Sequence, residues 1–297
     1  MKGIVAAVPT PVGEDGAPLR EPFLEHCGWA LANGCDALNV LGTTGEANSL
    51  GIAQRKQVMA WAAETFDTGR LMVGTGVPSL ADTLELTLAA AGMAYRVALV
   101  LPPFYYKPVS DDGLVAWYEA LDRALGDTPV EIYFYNFPQM TGVPIPVAVV
   151  ERLAKASPAR FTGIKDSSGD LGYCRDLVQR VPGLKVFPSS ETALAEAKSS
   201  GFAGCISATV NVSAPLCARL VAEGDTGGLG AEIAKLRSDI AAHPLVPAVK
   251  HLVGRRTGNA DWTRVLPPFV PLNDASRAAL DRIAASLHHA SDELVGA

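Results

Sequence analysis

Eight times along this chain a short apolar, β-rich run gives way to a segment with helical periodicity, and that alternation leaves few folds open. The runs span residues 3–8, 36–41, 71–76, 97–101, 130–135, 161–165, 184–187 and 204–207. The helical stretches between them include 22–33, 52–65, 80–91, 111–125, 148–156, 172–181 and 191–200. Several runs are apolar on both faces, as strands covered on both sides must be. The pattern predicts an α/β fold, a closed parallel (β/α)8 TIM barrel with its helices outside. A doubly wound open sheet is the competing arrangement, disfavoured because no Gly-x-Gly-x-x-Gly follows the first run. That first run is too short for a leader segment, since Pro9, Pro11, Glu14 and Asp15 interrupt it. It reads as the first strand.

The chain continues past the eighth run. Segments 229–242, 245–255 and 274–287 are helical, and Pro267-Pro268-Phe269-Val270-Pro271 stops one of them. This exceeds what closing a barrel requires. The expected organisation is a catalytic barrel over residues 1–213 and a C-terminal helical domain over 214–297, packed on the barrel. With 48% apolar and 19% charged residues, the chain has ample material for a filled core. A formal net charge of −6 speaks against nucleic acid or an anionic membrane as partners. No apolar run approaches the roughly 18 residues a membrane helix needs. The five cysteines are scattered, with no Cys-x-x-Cys pair. An odd, unpaired set predicts reduced thiols and a cytoplasmic protein rather than a disulfide framework or zinc site. His26, His243, His251, His288 and His289 avoid the ends of the predicted strands, and neither His-x-His nor His-Glu-x-x-His occurs. A metal-dependent hydrolase is not expected.

In such a barrel, chemistry gathers at the carboxyl ends of the strands. The sixth run, Phe161-Thr162-Gly163-Ile164, ends in Lys165 and is followed at once by Asp166-Ser167-Ser168-Gly169. One reading makes Lys165 a solvated end residue, with Asp166 capping the next helix. The other makes it a sheltered amine. Removing an ammonium from water costs several kcal/mol, so burial favours the free base, which attacks carbonyl carbon to form a Schiff base. After the second run comes Gly42-Thr43-Thr44-Gly45-Glu46. It is either a carboxylate-binding turn rich in N–H and O–H donors or an ordinary helix cap. The fourth run leads into Pro102-Pro103-Phe104-Tyr105-Tyr106-Lys107-Pro108. That segment suits a rigid aromatic wall or an interface, or else sends a tyrosine hydroxyl into a site. In the fifth run Tyr133 and Tyr135 share a face. Tyr135 is either a core residue with a satisfied hydroxyl or a proton relay beside the lysine.

The three segments Gly-Thr-Thr-Gly-Glu, Tyr-Asn-x-Pro-x-x-Thr-Gly and Gly-Ile-Lys-Asp-Ser-Ser-Gly occur in this order and spacing. Together they resemble the dihydrodipicolinate synthase/N-acetylneuraminate lyase family of pyruvate-dependent class I aldolases. The likeness runs from Ala7-Val8-Pro9-Thr10-Pro11 through the helical tail. It implies a barrel with a helical extension, assembled as a homotetramer, a dimer of dimers. It further implies that Lys165 forms a Schiff base with pyruvate or another 2-oxo acid and that Tyr135 transfers protons. Thr43 and Tyr106 would complete a hydroxyl relay, with Tyr106 reaching in from a neighbouring subunit. Thr44 would hold the substrate carboxylate and Ile206 would pack against the bound acid. No cofactor or metal is implied, because the protonated imine is itself the electron sink.

Two departures bear on the substrate. The synthase branch places an arginine two residues beyond Tyr-Asn-x-Pro, where this chain has Met140. Losing a charge-assisted contact of about 1.5–3 kcal/mol disfavours an acidic aldehyde there. The segment Pro188-Ser189-Ser190-Glu191 matches neither the Gly-Asp-Asp of synthases nor the Gly-Tyr-Asp-Glu of neuraminate lyases. Ser189, Ser190 and Ser207 offer hydroxyls to a hydroxylated chain. The expected function is a Schiff-base lyase, aldolase or dehydratase, on a 2-oxo acid of sugar-acid type. The alternatives are 4-hydroxy-tetrahydrodipicolinate synthase and a catalytically silent ligand-binding barrel.

Overall fold

Side-chain alternation along each apolar run requires two apolar surroundings, one on each face. The computed structural model, which describes the backbone of residues 1–295 and side chains through Leu287, supplies both. His288 and His289 lie outside the described side chains. The strands are β1 (Gly3–Ala7), β2 (Ala37–Val40), β3 (Leu71–Gly74), β4 (Val97–Val100), β5 (Glu131–Asn136), β6 (Phe161–Asp166), β7 (Lys185–Pro188) and β8 (Gly204–Ser207). All neighbours pair in parallel, each strand beside the next in sequence and β8 beside β1. A backbone hydrogen bond of 2.8 Å from Ala203 to Val186 joins the β7 and β8 edges. The expected parallel barrel is therefore what the chain forms.

Val5, Ala7, Met72, Leu99, Tyr133, Tyr135, Phe187 and Ile206 fill the barrel interior. Their neighbours in sequence, such as Ile4, Leu38, Val40 and Val73, face outward. These meet α1 (Arg20–Ala32), α2 (Ile52–Thr65) and α3 (Leu80–Gly92) through Phe23, Met59 and Leu86. On the other side Val100, Ile132, Phe134 and Ile164 meet α4 (Asp111–Leu125) and, beyond the one-turn α5 (Pro138–Thr141), α6 (Val147–Ala156). There, and on α7 (Leu171–Arg180), Leu114, Tyr118, Leu153 and Leu177 complete the layer. Each such aliphatic or aromatic side chain contributes about 1.5–3 kcal/mol when fully buried. The helix expected over 191–200 instead begins as a tight 3-10 segment, Glu191–Glu196, before the short α8 (Ala197–Ser200).

Helix α9 (Val210–Glu223) packs against β1 and contains residue 213. Beyond it, α10 (Leu229–Ala241), α11 (Leu245–Thr257) and α12 (Asp274–Val295) share an apolar cluster with Ala208, centred on Val249, Leu252, Trp262 and Leu280. Buried polar contacts bind this extension to the barrel, two of them through α11. Lys250 of α11 pairs with Glu46 of the loop after β2, both side chains without solvent exposure. His26 of α1 lies between Arg256 of α11 and Asn211 of α9, at 2.8 Å from each. Among the described residues no helix is long and apolar enough to cross a membrane.

Candidate active site

Lys165 sits one residue before the end of β6, in register with Tyr135 on β5 and Phe187 on β7. Inward-facing parity and the closed ring leave it only 4% exposed. The small Gly163 two residues earlier is required here, because a Cβ would stand 2.7 Å from the Tyr133 ring that fills the barrel below. The Lys165 Nζ lies 4.6 Å from the centre of the Tyr135 ring. Among the described residues no carboxylate forms an ion pair with it. The solvated-end reading of Lys165 is thus excluded. So is the capping role for Asp166: the N-cap of α7 is Asp170, whose side chain accepts from the Tyr173 amide.

Asp166 instead sews strands together. It accepts from Asn136 Nδ2 at 2.7 Å and Ser168 Oγ at 2.8 Å, while Asn136 Oδ1 accepts from the Ile145 amide at 3.0 Å. Burial holds its carboxyl above the usual carboxylate range, and these donors offset part of that rise.

The loop after β2 delivers Thr43, whose Oγ1 is 3.1 Å from the Tyr135 hydroxyl, with either group able to donate. The loop is no simple helix cap: α2 starts at Ile52, after a separate 3-10 turn over Ala47–Ser49. Close packing shapes it. Leu41 adopts φ 57°, and the facing Gly74 has no room for a Cβ, which would stand 2.2 Å from the Leu41 carbonyl oxygen. Buried Glu46, also at positive φ, accepts from Lys250 and from the Leu266 amide at 2.6 Å, anchoring the loop's far end.

Lys165, Tyr135, Thr43, Thr44, Ile206, Ser189 and Met140 all line one cleft of about 220 Å³ at the carboxyl ends of the strands. Three expected residues are not brought there. Tyr106 is 83% exposed and packs edge-on against Tyr105, away from the cleft of its own chain. Ser190 caps the 3-10 segment after β7, accepting from the Thr192 amide. Ser207 is fully buried and donates to Glu191 Oε2 at 2.6 Å. A larger concavity of about 880 Å³ lies at the opposite end of the barrel, lined by Tyr95, Asp122, Glu131 and Arg160 among others. It is remote from Lys165, and size alone does not make it the site.

Residues that sequence reasoning did not reach complete the cleft: Phe137, Ser167, Ala208, Arg237, Leu245, Val246 and Phe269. The last four come from the helical extension. In sequence, Arg237 is one charge among several on an amphipathic helix, which reads as a solvated face. Among the described residues no group of three or more His, Cys, Asp or Glu could hold a metal ion.

Comparison with known proteins agrees with this geometry. The model of the dihydrodipicolinate synthetase family matches residues 1–287. An uncharacterized DapA-like lyase of Chloroflexus aurantiacus is 32% identical over 300 residues, covering 96% of this chain and 97% of that protein. The crystal structure of dihydrodipicolinate synthase from Agrobacterium tumefaciens superimposes with a TM-score of 0.89 at 32% identity, covering 97% of this chain and 99% of that one. A prophage protein of E. coli K12 from the same family, solved in complex with pyruvate, superimposes with a TM-score of 0.87 at 25% identity, with coverage of 97% and 99%. With motifs, barrel and cleft in agreement over nearly its whole length, the chain belongs to the dihydrodipicolinate synthetase family.

Proposed function

We propose that the protein is a Schiff-base lyase in which Lys165 condenses with pyruvate or a longer 2-oxo acid. The amine adds to the ketone carbon, and loss of water from the carbinolamine leaves a protonated imine. That imine accepts the electron pair released when the bond between the third and fourth substrate carbons breaks, or when a hydrogen is removed before dehydration. Tyr135 carries the proton to and from the departing oxygen, and Thr43 passes it onward. Thr44 holds the carboxylate next to the ketone, and Ile206 packs against the acid's apolar edge. Tyr106 completes the relay from a neighbouring subunit, which explains a tyrosine left in solvent on its own chain. The reading includes a cytoplasmic homotetramer without cofactor, in which residues 1–213 form the barrel unit and residues 214–297 the helical extension.

The observation that carries it is a nearly buried lysine amine beside a tyrosine whose hydroxyl already bonds to Thr43. Borohydride reduction in the presence of pyruvate tests it: the adduct is expected on the Lys165 peptide by mass spectrometry. An unmodified Lys165 overturns the reading. Sedimentation velocity tests the tetramer.

Met140, 65% exposed at the mouth of the cleft, favours a sugar-acid type of 2-oxo acid over aspartate semialdehyde. The synthase reading keeps the support of the Agrobacterium relative. Condensation of pyruvate with aspartate semialdehyde decides between them: turnover confined to sugar-acid substrates rejects the synthase.

A further inference from the structure

Glu191 has no solvent exposure, yet it carries a carboxylate. Its oxygens accept from Ser207 at 2.6 Å, Thr209 at 2.5 Å, Ser213 at 3.2 Å and Arg237 at 2.9 Å. All of Arg237's contacts pass through one nitrogen. Nη1 reaches Glu191, Ser207 Oγ at 3.1 Å and Thr209 Oγ1 at 2.9 Å. Nε and Nη2 have no partner among the described residues, although the side chain is only 23% exposed and lines the cleft of Lys165.

A guanidinium clamped at one corner is fixed in its plane, and the remaining Nε–Nη2 edge presents two parallel N–H groups. That edge matches a carboxylate better than it matches single hydroxyls. The wall around it is apolar, with Ala208, Leu245, Val246 and Phe269. Such a wall strengthens one charged contact, while the hydroxyls of Ser167 and Ser189 in the same cleft leave room for a hydroxylated chain between the two acid groups. Resting on the Schiff-base reading of Lys165, we propose that Arg237 binds a second carboxylate at the far end of the substrate, making the preferred ligand a 2-oxo dicarboxylic acid. Ser207 and Thr209 then act as positioning residues, holding Glu191 and through it the guanidinium.

The test is borohydride trapping with matched pairs of equal chain length: 2-oxoglutarate against 2-oxopentanoate, and 2-oxoadipate against 2-oxohexanoate. In the wild type the dicarboxylate of at least one pair is expected to half-saturate trapping at a concentration about 10- to 100-fold lower than its monocarboxylate partner. In Arg237→Gln the ratio is expected to fall to near one, and Arg237→Lys, which keeps charge but not the two-pronged edge, to lie between. The ratio is insensitive to general damage, because that affects both members of a pair. Trapping without preference in the wild type overturns the proposal, as does a preference that survives Arg237→Gln. If pyruvate and every other 2-oxo acid fail to trap, the Schiff-base reading itself is overturned and this inference with it.

Discussion

Tyr135 takes part in two relationships at once: its ring lies against the Lys165 amine and its hydroxyl meets Thr43. The ring contact survives removal of the oxygen, so Tyr135→Phe separates packing from proton transfer. Its turnover is expected to fall by about 10²–10⁴-fold, the usual range for a general acid–base group. Thr43→Val, which leaves the phenol in place and removes only its partner, is expected to cost about tenfold. Steady-state kinetics with parallel pyruvate trapping check both. An equal loss in the two variants would mean that the two hydroxyls move the proton as one unit, with Thr43 no mere accessory to Tyr135. These residues were legible in the sequence because barrels put chemistry at strand ends, and both Lys165 and Tyr135 close a run. Ser190 and Ser207 were misplaced by reading hydroxyls without parity. Phe187 and Ile206 face the interior, so strict alternation assigns Ser189 inward and Ser190 and Ser207 to the opposite face. Arg237 was illegible for a different reason. No periodicity says which charge of an exterior helix is folded over the barrel mouth.

At the scale of elements, the loop after β2 is held from outside the barrel. Glu46 and Lys250 are separated by about two hundred residues, and their pairing, with no exposure on either side chain, fixes α11 against the turn that carries Thr43 and Thr44. Burial lowers the Lys250 pKa and the Glu46 carboxylate counters that shift. Such a pair contributes little net stability compared with apolar residues of the same volume, but removing one partner strands the other charge. Lys250→Met is therefore expected to destabilise the fold by about 3–5 kcal/mol, and the double variant Lys250→Met with Glu46→Leu by clearly less than the two single losses added. Urea unfolding of the four proteins checks this. Simple additivity would show that the two side chains act independently. The sequence displayed Glu46 as the last letter of a motif and Lys250 as an ordinary helix charge. Their partnership needed the third dimension.

The whole molecule depends on the extension staying seated, and a histidine makes that seating sensitive to acid. His26 Nε2 donates to Asn211 Oδ1, and that amide is itself oriented by donating to the carbonyls of Ala7 and Ala208 at 2.8 and 2.7 Å. The other ring nitrogen accepts from Arg256, whose guanidinium lies 3.9 Å over the Trp29 ring. Trp262 covers the imidazole edge-on at 5.3 Å. Both nitrogens are committed as one donor and one acceptor, so a proton has nowhere to go without breaking the link to Arg256. Burial first, then the Arg256 charge, push the His26 pKa down to about 3, against only a small opposing effect of the Asn211 bond. The unfolded chain then binds the proton more readily than the folded one. The stability associated with the neutral ring is complete above the unfolded value of about 6.5 and is lost as pH falls from there toward 3. At pH 5 the loss from this residue amounts to about 2 kcal/mol. Asp166, with its raised carboxyl, works in the opposite sense at the acid end of that window. A variant lacking only the titratable ring therefore isolates the effect. His26→Gln keeps a donor for Asn211 and is expected to start less stable than the wild type at pH 7.5. Between pH 7.5 and 5 it should lose about 2 kcal/mol less, measured by urea denaturation. Parallel curves for the two proteins would move the acid sensitivity elsewhere in the molecule and leave the junction between barrel and extension indifferent to protons.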